Sequence, residues 1–176
     1  NDLQNGTSRL DRKAKEKMIS FLKNRKRVIY DREGKVPYLV RYYLFLKDRT
    51  WFPFNFTLHK VLKSDEEVLH DHPWPYATLI LKGGYYEHIP VYTQEGNVCG
   101  ATRVWRGPGH FRYRGSDDLH WLELQKDENG QEIPCWSLFY MGRKAKSWGF
   151  LPFIMGSTMN TTGYKWIDSK EYLDGH

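Results

Sequence analysis

Cysteine is nearly absent: the 176 residues hold two, Cys99 and Cys135. Two are too few for a disulfide framework, and they lack the CxxC spacing of a zinc or redox pair. Both are expected as reduced, partly buried thiols of a cytoplasmic protein. Long hydrophobic runs are also missing. The chain opens on polar residues, and no apolar stretch has the length of a secretory signal or a membrane span. A membrane partner is therefore not expected. The sequons at Asn5, Asn55 and Asn160 would matter only in a secreted protein. There is no internal repeat and no low-complexity linker. This length suits one domain, large enough to bury a core without disulfides.

Acidic residues are in the minority, 21 against 27 Lys and Arg, for a formal charge of +6. Much of the excess lies in Arg12, Lys13, Lys15, Lys17, Lys23, Arg25, Lys26 and Arg27. Residues 7–24 read as an amphipathic helix with Thr7 or Ser8 as cap and Asp11 in the first turn, where the helix dipole favours an anion. Leu10, Ala14, Met18 and Leu22 repeat at i, i+4 and make a narrow apolar stripe. The reading is a basic helix, residues 1–27, packed by that stripe on a single domain, residues 28–176. Aromatic residues are not interleaved with the charges as a stacking platform would need, so nucleic acid is not the expected partner.

Aromatic residues are abundant, with seven Trp, twelve Tyr and nine Phe. Large flat side chains favour strands and fill sheet interiors. From Val28 onward short apolar or alternating runs are separated by turn signals such as Gly83-Gly84, Glu95-Gly96-Asn97, Gly107-Pro108-Gly109 and Glu128-Asn129-Gly130. Strands are predicted over residues 38–46, 54–62, 67–72, 77–82, 85–91, 101–105, 110–113, 120–124 and 136–141, the spacing of a sandwich or barrel built from hairpins. Residues 163–173 read as a strand turning into a short helix.

Seven histidines are present. His70 and His72 stand two apart in a predicted strand, so their imidazoles share a face and can grip one ion from one side. The segment His70-Asp71-His72 leads through Pro73 to the apolar run Ala77-Thr78-Leu79-Ile80-Leu81, and Gly83 falls eleven residues after His72. Gly107-Pro108-Gly109 precedes another strand, and His120 falls eleven residues after Gly109. These two segments resemble the paired motifs of the cupin superfamily. The resemblance spans about Phe54 to Leu124. It implies an all-β fold, an antiparallel double-stranded β-helix with the N-terminal α-helix appended, and a metal held by His70, His72 and His120.

The wider chain resembles an uncharacterised group of phage, bacterial and giant-virus cupins. The shared segments read here His70-Asp71-His72-Pro73-Trp74, Leu81-Lys82-Gly83-Gly84-Tyr85, Asp117-Asp118-Leu119-His120-Trp121-Leu122-Glu123-Leu124 and Trp148-Gly149-Phe150. That group implies a fold and no substrate. The chain also departs from the general pattern. Where many metal cupins place a Glu ligand, four or five residues after the HxH, it has Tyr76 and Ala77. Gly115 and Asp117 stand before the third His, and Leu124 stands where an Asn is usual.

The remaining three-His set is similar to that of the thiol dioxygenases. That resemblance implies Fe(II), with Zn, Ni or Mn as alternatives, and a small anionic or thiol-bearing substrate held beside the ion by an arginine. Arg41, Arg103, Arg112 and Arg114 are the candidates. Arg112 and Arg114, with Tyr76, are assigned to the catalytic set. A neutral ligand set leaves the ion its full charge and about three open positions. The alternative is a cupin without redox chemistry, such as an isomerase, lyase or sensor module. A homodimer is expected by analogy alone.

The other candidates read as structural. His110 reads as a strand-start residue, with a fourth ligand or proton shuttle as the alternative. His59 and His88 are expected to face solvent or a hydrogen-bond partner. Glu87 and Glu123 are expected at the surface or behind the ligands, with Glu123 pointing away from the metal by strand alternation. Asp71 alternates outward and could brace a ligand from behind. Residues 136–150 are expected to close the barrel and present Arg143, Lys144 and Lys146 as a solvated basic edge.

Overall fold

The computed structural model describes residues 2–31, 34–47, 52–154 and 163–174, with side chains from residue 12 onward. Helix α1, Asp2–Asn24, runs directly into strand β1, Lys26–Tyr30. The helix begins earlier than residue 7, so Thr7 and Ser8 lie inside it rather than capping it. Of the expected apolar stripe, Ala14 and Met18 are exposed and Leu22 is half-buried.

The remaining strands are β2 (Pro37–Tyr43), β3 (Asn55–Val61), β4 (Leu69–His70), β5 (Tyr76–Lys82), β6 (Tyr85–Tyr92), β7 (Val98–Arg106), β8 (Phe111–Arg114), β9 (Trp121–Leu124), β10 (Cys135–Met141), β11 (Gly149–Leu151), β12 (Phe153–Ile154), β13 (Gly163–Tyr164) and β14 (Ile167–Asp168). Helix α2, Ser169–Asp174, follows. All pairings are antiparallel. One sheet runs β1-β2-β3-β10-β5-β8. The opposing layer holds β7-β6-β9 and β14-β11-β4. An antiparallel bridge between His70 and His120 joins its two halves. The result is the double-stranded β-helix expected from the sequence.

Alternation builds the interior. In β10 every second residue from Cys135 to Met141 is buried, as period-2 side chains dictate. Leu39, Val61, Ile80, Tyr85, Leu124 and Cys135 form one core cluster drawn from both sheets. Each fully buried aliphatic chain in such a cluster contributes about 1.5–3 kcal/mol relative to exposure. Tyr76, Phe139 and Met141 form a second cluster with Trp74 against it, and this one borders the histidines. Burial pushes the Cys135 thiol up to about 12, so it behaves as an apolar core group.

Two glycines that the sequence reading attached to motifs have steric explanations. Gly83 sits at φ +76°, and a Cβ there would lie 2.7 Å from Pro134 O. A Cβ on Gly149 would collide with Ile167 O and lie 2.6 Å from the Trp166 ring. Neither obstacle is a flexible chain end. Gly149→Ala is expected to cost about 1–3 kcal/mol through overpacking, read as a lower urea midpoint. An unchanged midpoint would show that β11 and β14 can separate without penalty.

Candidate metal centre

His70 and His120 form an antiparallel hydrogen-bonded pair, with His70 N donating to His120 O and His120 N to His70 O, both at 3.0 Å. Residues paired in this way project their side chains to one face. The third imidazole arrives two residues after His70, where the backbone has left β4 and His72 N donates to Ser116 O. One nitrogen from each of His70, His72 and His120 then lies within 4.8 Å of the others. His72 Nε2 is 2.9 Å from His120 Nε2.

The residues around this cluster fix its chemistry. His120 Nδ1 lies 3.1 Å from Glu87 Oε1. The Glu87 carboxylate is buried and also accepts from Arg114 Nε and Arg106 Nε, each at 2.8 Å. Burial works against ionisation of Glu87. Its bonds and charges with His120, Arg114 and Arg106 overcome that and hold it well below the usual carboxylate range. An ionised Glu87 keeps the His120 proton on Nδ1 and leaves Nε2 as a lone pair facing the cluster. This is the usual way a carboxylate orients a ligating histidine.

Burial lowers the pKa of His70 and pushes that of His72 well down, with His120 and His70 adding to the effect. Both are therefore neutral at physiological pH. Such nitrogen donors suit divalent Zn, Fe, Ni or Cu ions. Two ligands about 2.1 Å from one ion and at right angles to it are separated by about 3 Å, which is the His72–His120 spacing. The donor set fits a divalent transition metal.

Asp71, between the two motif histidines, faces the other way. Its carboxylate accepts from Gly149 N and Lys146 Nζ at 2.7 Å and from Trp166 Nε1 at 3.0 Å. It is 2% exposed, and these bonds tie it to the C-terminal segment. Lys146 bridges Asp71 and Asp117; it is a structural tie, whereas Arg143 and Lys144 are exposed. Closure of the barrel by this region is realised by β11, which pairs with β4 and β14.

The structure distributes the remaining candidates unevenly. Tyr76 is brought to the centre, its hydroxyl 3.0 Å from His120 Nε2. Arg114 is buried on Glu87, and Arg112 is exposed on the rim of the same strand. Arg103 is on the outside, paired with Glu123, which also takes His88 and points away from the centre as expected. His110 lies outside the metal-capable group. Its buried Nε2 has no partner among the described residues, and it lines a cavity of about 10 Å³ with Tyr76, Glu87 and three arginines.

His59, expected to face solvent or a hydrogen-bond partner, takes the second course. It is buried inside the barrel, stacked on Phe139 at 4.4 Å, with Nε2 3.1 Å from Arg41 Nε and 3.0 Å from Thr57 Oγ1. The alternation of β3, with Asn55, Thr57, His59 and Val61 all buried, was the available signal. A second cavity of about 730 Å³ has His70 in its wall, together with Tyr38, Asp65, Trp148 and Phe150.

Comparison with known proteins bears on the fold. No protein-family model matches the chain, and no curated protein matches it. Similar solved structures include an RmlC-like cupin protein from Ralstonia eutropha, 11% identical over 86% of this chain and 80% of that one, with a TM-score of 0.44. The polyketide cyclase RemF from Streptomyces resistomycificus is 17% identical over 61% and 70%, with a TM-score of 0.42. Hydroxypropylphosphonic acid epoxidase from S. wedmorenis is 12% identical over 66% of this chain, at a TM-score of 0.44. The match spans 55% of the epoxidase chain, little more than half its length.

Two outcomes are expected. Glu87→Gln removes the anion that orients His120 and weakens metal binding about 10–100-fold, read by competition against a calibrated chelator; unchanged affinity would show that His120 needs no brace. In metal-free protein, the buried His59, His70 and His72 have lowered pKa values. The unfolded chain takes up protons below about pH 6.5 that the folded chain refuses. Stability is therefore present above that pH and declines as pH falls, by up to about 1.4 kcal/mol per unit for each histidine. Urea midpoints between pH 8 and pH 5 measure it, and a flat profile would contradict neutral buried imidazoles.

Proposed function

We propose that this protein is a mononuclear non-haem Fe(II) oxygenase acting on a small anionic or thiol-bearing substrate. The observation that carries the proposal is the donor set. Three imidazole nitrogens converge, His120 buried and His70 and His72 half-buried, and the metal-capable group contains no carboxylate. The ion, when bound, supplies Lewis acidity and, as iron, the electrons for oxygen chemistry. The chain's own residues do the rest. Neutral imidazoles leave the ion's charge uncompensated, which favours an anionic substrate in the remaining positions. Glu87, held by Arg106 and Arg114, fixes the direction of His120. The rings of Tyr76 and Phe139, stacked at 5.2 Å, exclude water from that side. Arg41, beside His59, places a cation on the same side as Phe139, where an anionic tail can be met.

A second reading is a metal cupin without redox chemistry, an isomerase or lyase. Two proton-carrying groups inside the barrel, the Tyr76 hydroxyl and the His59 imidazole, favour it. One experiment separates the two. Elemental analysis of untagged protein is compared with His70→Ala, His72→Ala and His120→Ala, followed by O₂-uptake assays over a panel of thiols and small acids. Iron lost in each variant together with substrate-dependent O₂ uptake supports the oxygenase. Zinc, nickel or manganese with no uptake moves the assignment to the second reading. Absence of metal after anaerobic loading overturns both.

A further inference from the structure

Tyr76 stands four residues after His72, at the first residue of β5. It is 3% exposed. Its backbone is held between Met141 on β10 and Arg114 on β8. Its ring lies flat on Phe139, 5.2 Å between centroids and 18° between planes, and meets the His72 ring edge-on at 4.5 Å. The position of the phenolic oxygen is therefore set by packing on several sides. It points to His120 Nε2 at 3.0 Å.

With its proton on Nδ1 toward the Glu87 carboxylate, that imidazole offers one in-plane lone pair at Nε2. Yet two polar atoms crowd it: His72 Nε2 at 2.9 Å and Tyr76 Oη at 3.0 Å. A single lone pair directed in the ring plane cannot accept two well-aligned hydrogen bonds from different directions. A cation lying on the lone-pair axis satisfies all three atoms together. Neighbouring donors on one ion at about 2.1 Å are about 3 Å apart, and both short distances match that edge length.

Charge points the same way. Glu87 is committed to Arg106 and Arg114, and Asp65, 3.9 Å from His70 Nε2, is committed to Tyr38 and the Leu122 amide, so the three imidazoles put no anionic donor on a doubly charged ion. An isolated buried charge is costly unless it is paired, and a phenolate at this position supplies one negative charge in direct contact.

We propose that Tyr76 is the fourth protein ligand and binds the ion through its phenolic oxygen, making a centre of three imidazoles and one phenolate. The inference rests on the metal-binding part of the reading above. When the oxygen–metal bond forms, the phenolic O–H bond breaks and its proton passes to solvent. Three imidazoles and one phenolate leave about two of six positions open to exogenous ligands.

The test uses the full chain, stripped with chelator, loaded anaerobically with Fe(II) and oxidised with ferricyanide. The ferric wild-type protein is expected to be coloured by a phenolate-to-Fe(III) charge-transfer band, with tyrosinate ring modes in its resonance Raman spectrum. Tyr76→Phe is expected to keep iron on three histidines, about tenfold or more weakly, and to be colourless. Tyr76→Glu is expected to recover affinity without the colour. If Tyr76→Phe does not fold, the wild-type spectrum and Tyr76→Glu still decide. Stoichiometric ferric iron in a colourless wild-type protein, or an unchanged band in either variant, overturns the phenolate ligand and leaves the three-histidine reading standing. A wild-type protein that retains no iron, zinc or manganese overturns the metal reading and this inference with it.

Discussion

Two backbone hydrogen bonds between His70 and His120 hold the centre and the opposing layer together. Each residue donates its amide and accepts at its carbonyl, and the pair joins β4 with its C-terminal partners to β9 and the β6–β7 hairpin. The same pairing sends both side chains to one face. The feature that unites the layer is thus the feature that places two of the three metal-binding nitrogens. Very little regular structure supports it from β4, which is two residues long. Support comes from β11 on one side, through Phe150 opposite His70, and from the segment before β4 on the other. In that segment Asp65 accepts from Leu122 N and from the Tyr38 hydroxyl, and Ser64 accepts from Leu124 N.

Two buried acids flank the pair and divide the electrostatics between them. Glu87 lies behind His120, and Asp71 lies on the far side of the HxH. Both are almost fully buried, where a carboxylate without partners is strongly disfavoured. Each is matched by cations and N–H donors: Arg106 and Arg114 for Glu87, Lys146, Trp166 and the Gly149 amide for Asp71. Neither acid is a member of the metal-capable group. One sets the protonation of a donor, and the other sets where the chain around the donors runs.

Much of this was legible in the sequence. His70, His72 and His120 were named from an HxH and from two motif spacings that resemble the cupin pattern, and the structure gathers them, although β4 ends at His70 and His72 is not placed by strand alternation. The regular turn signals pointed to a sandwich or barrel, and the resemblance to cupins implied the double-stranded β-helix. The short strand Lys26–Tyr30 was missed, since three of its five residues are charged or exposed and nothing local distinguishes an edge strand from the end of a basic helix. The partners of Glu87 were not readable. Arg106 and Arg114 sit 19 and 27 residues away, and only the pairing of β6 with β7 and the approach of β8 bring them there. His59 was expected to face solvent or a hydrogen-bond partner; it has partners in Arg41 and Thr57, and its burial on the inward face of β3 was the part not read. Tyr76 was named as a pocket residue from its position alone. Its distance to His120 is a property of two strands from opposite sheets, and no one-dimensional pattern encodes it.

The Asp71 tie has a thermodynamic consequence. The side chain between the two motif ligands holds Gly149, Lys146 and Trp166, so docking of these three residues is coupled to correct placement of His70 and His72. Linkage of this kind is reciprocal. Whatever free energy an ion gains by binding to the ordered histidines also opposes undocking of the C-terminal strap, and a ligand or partner that pulls the strap away must loosen the ion by the same factor. The polypeptide far beyond the third histidine is in this sense part of the metal's affinity.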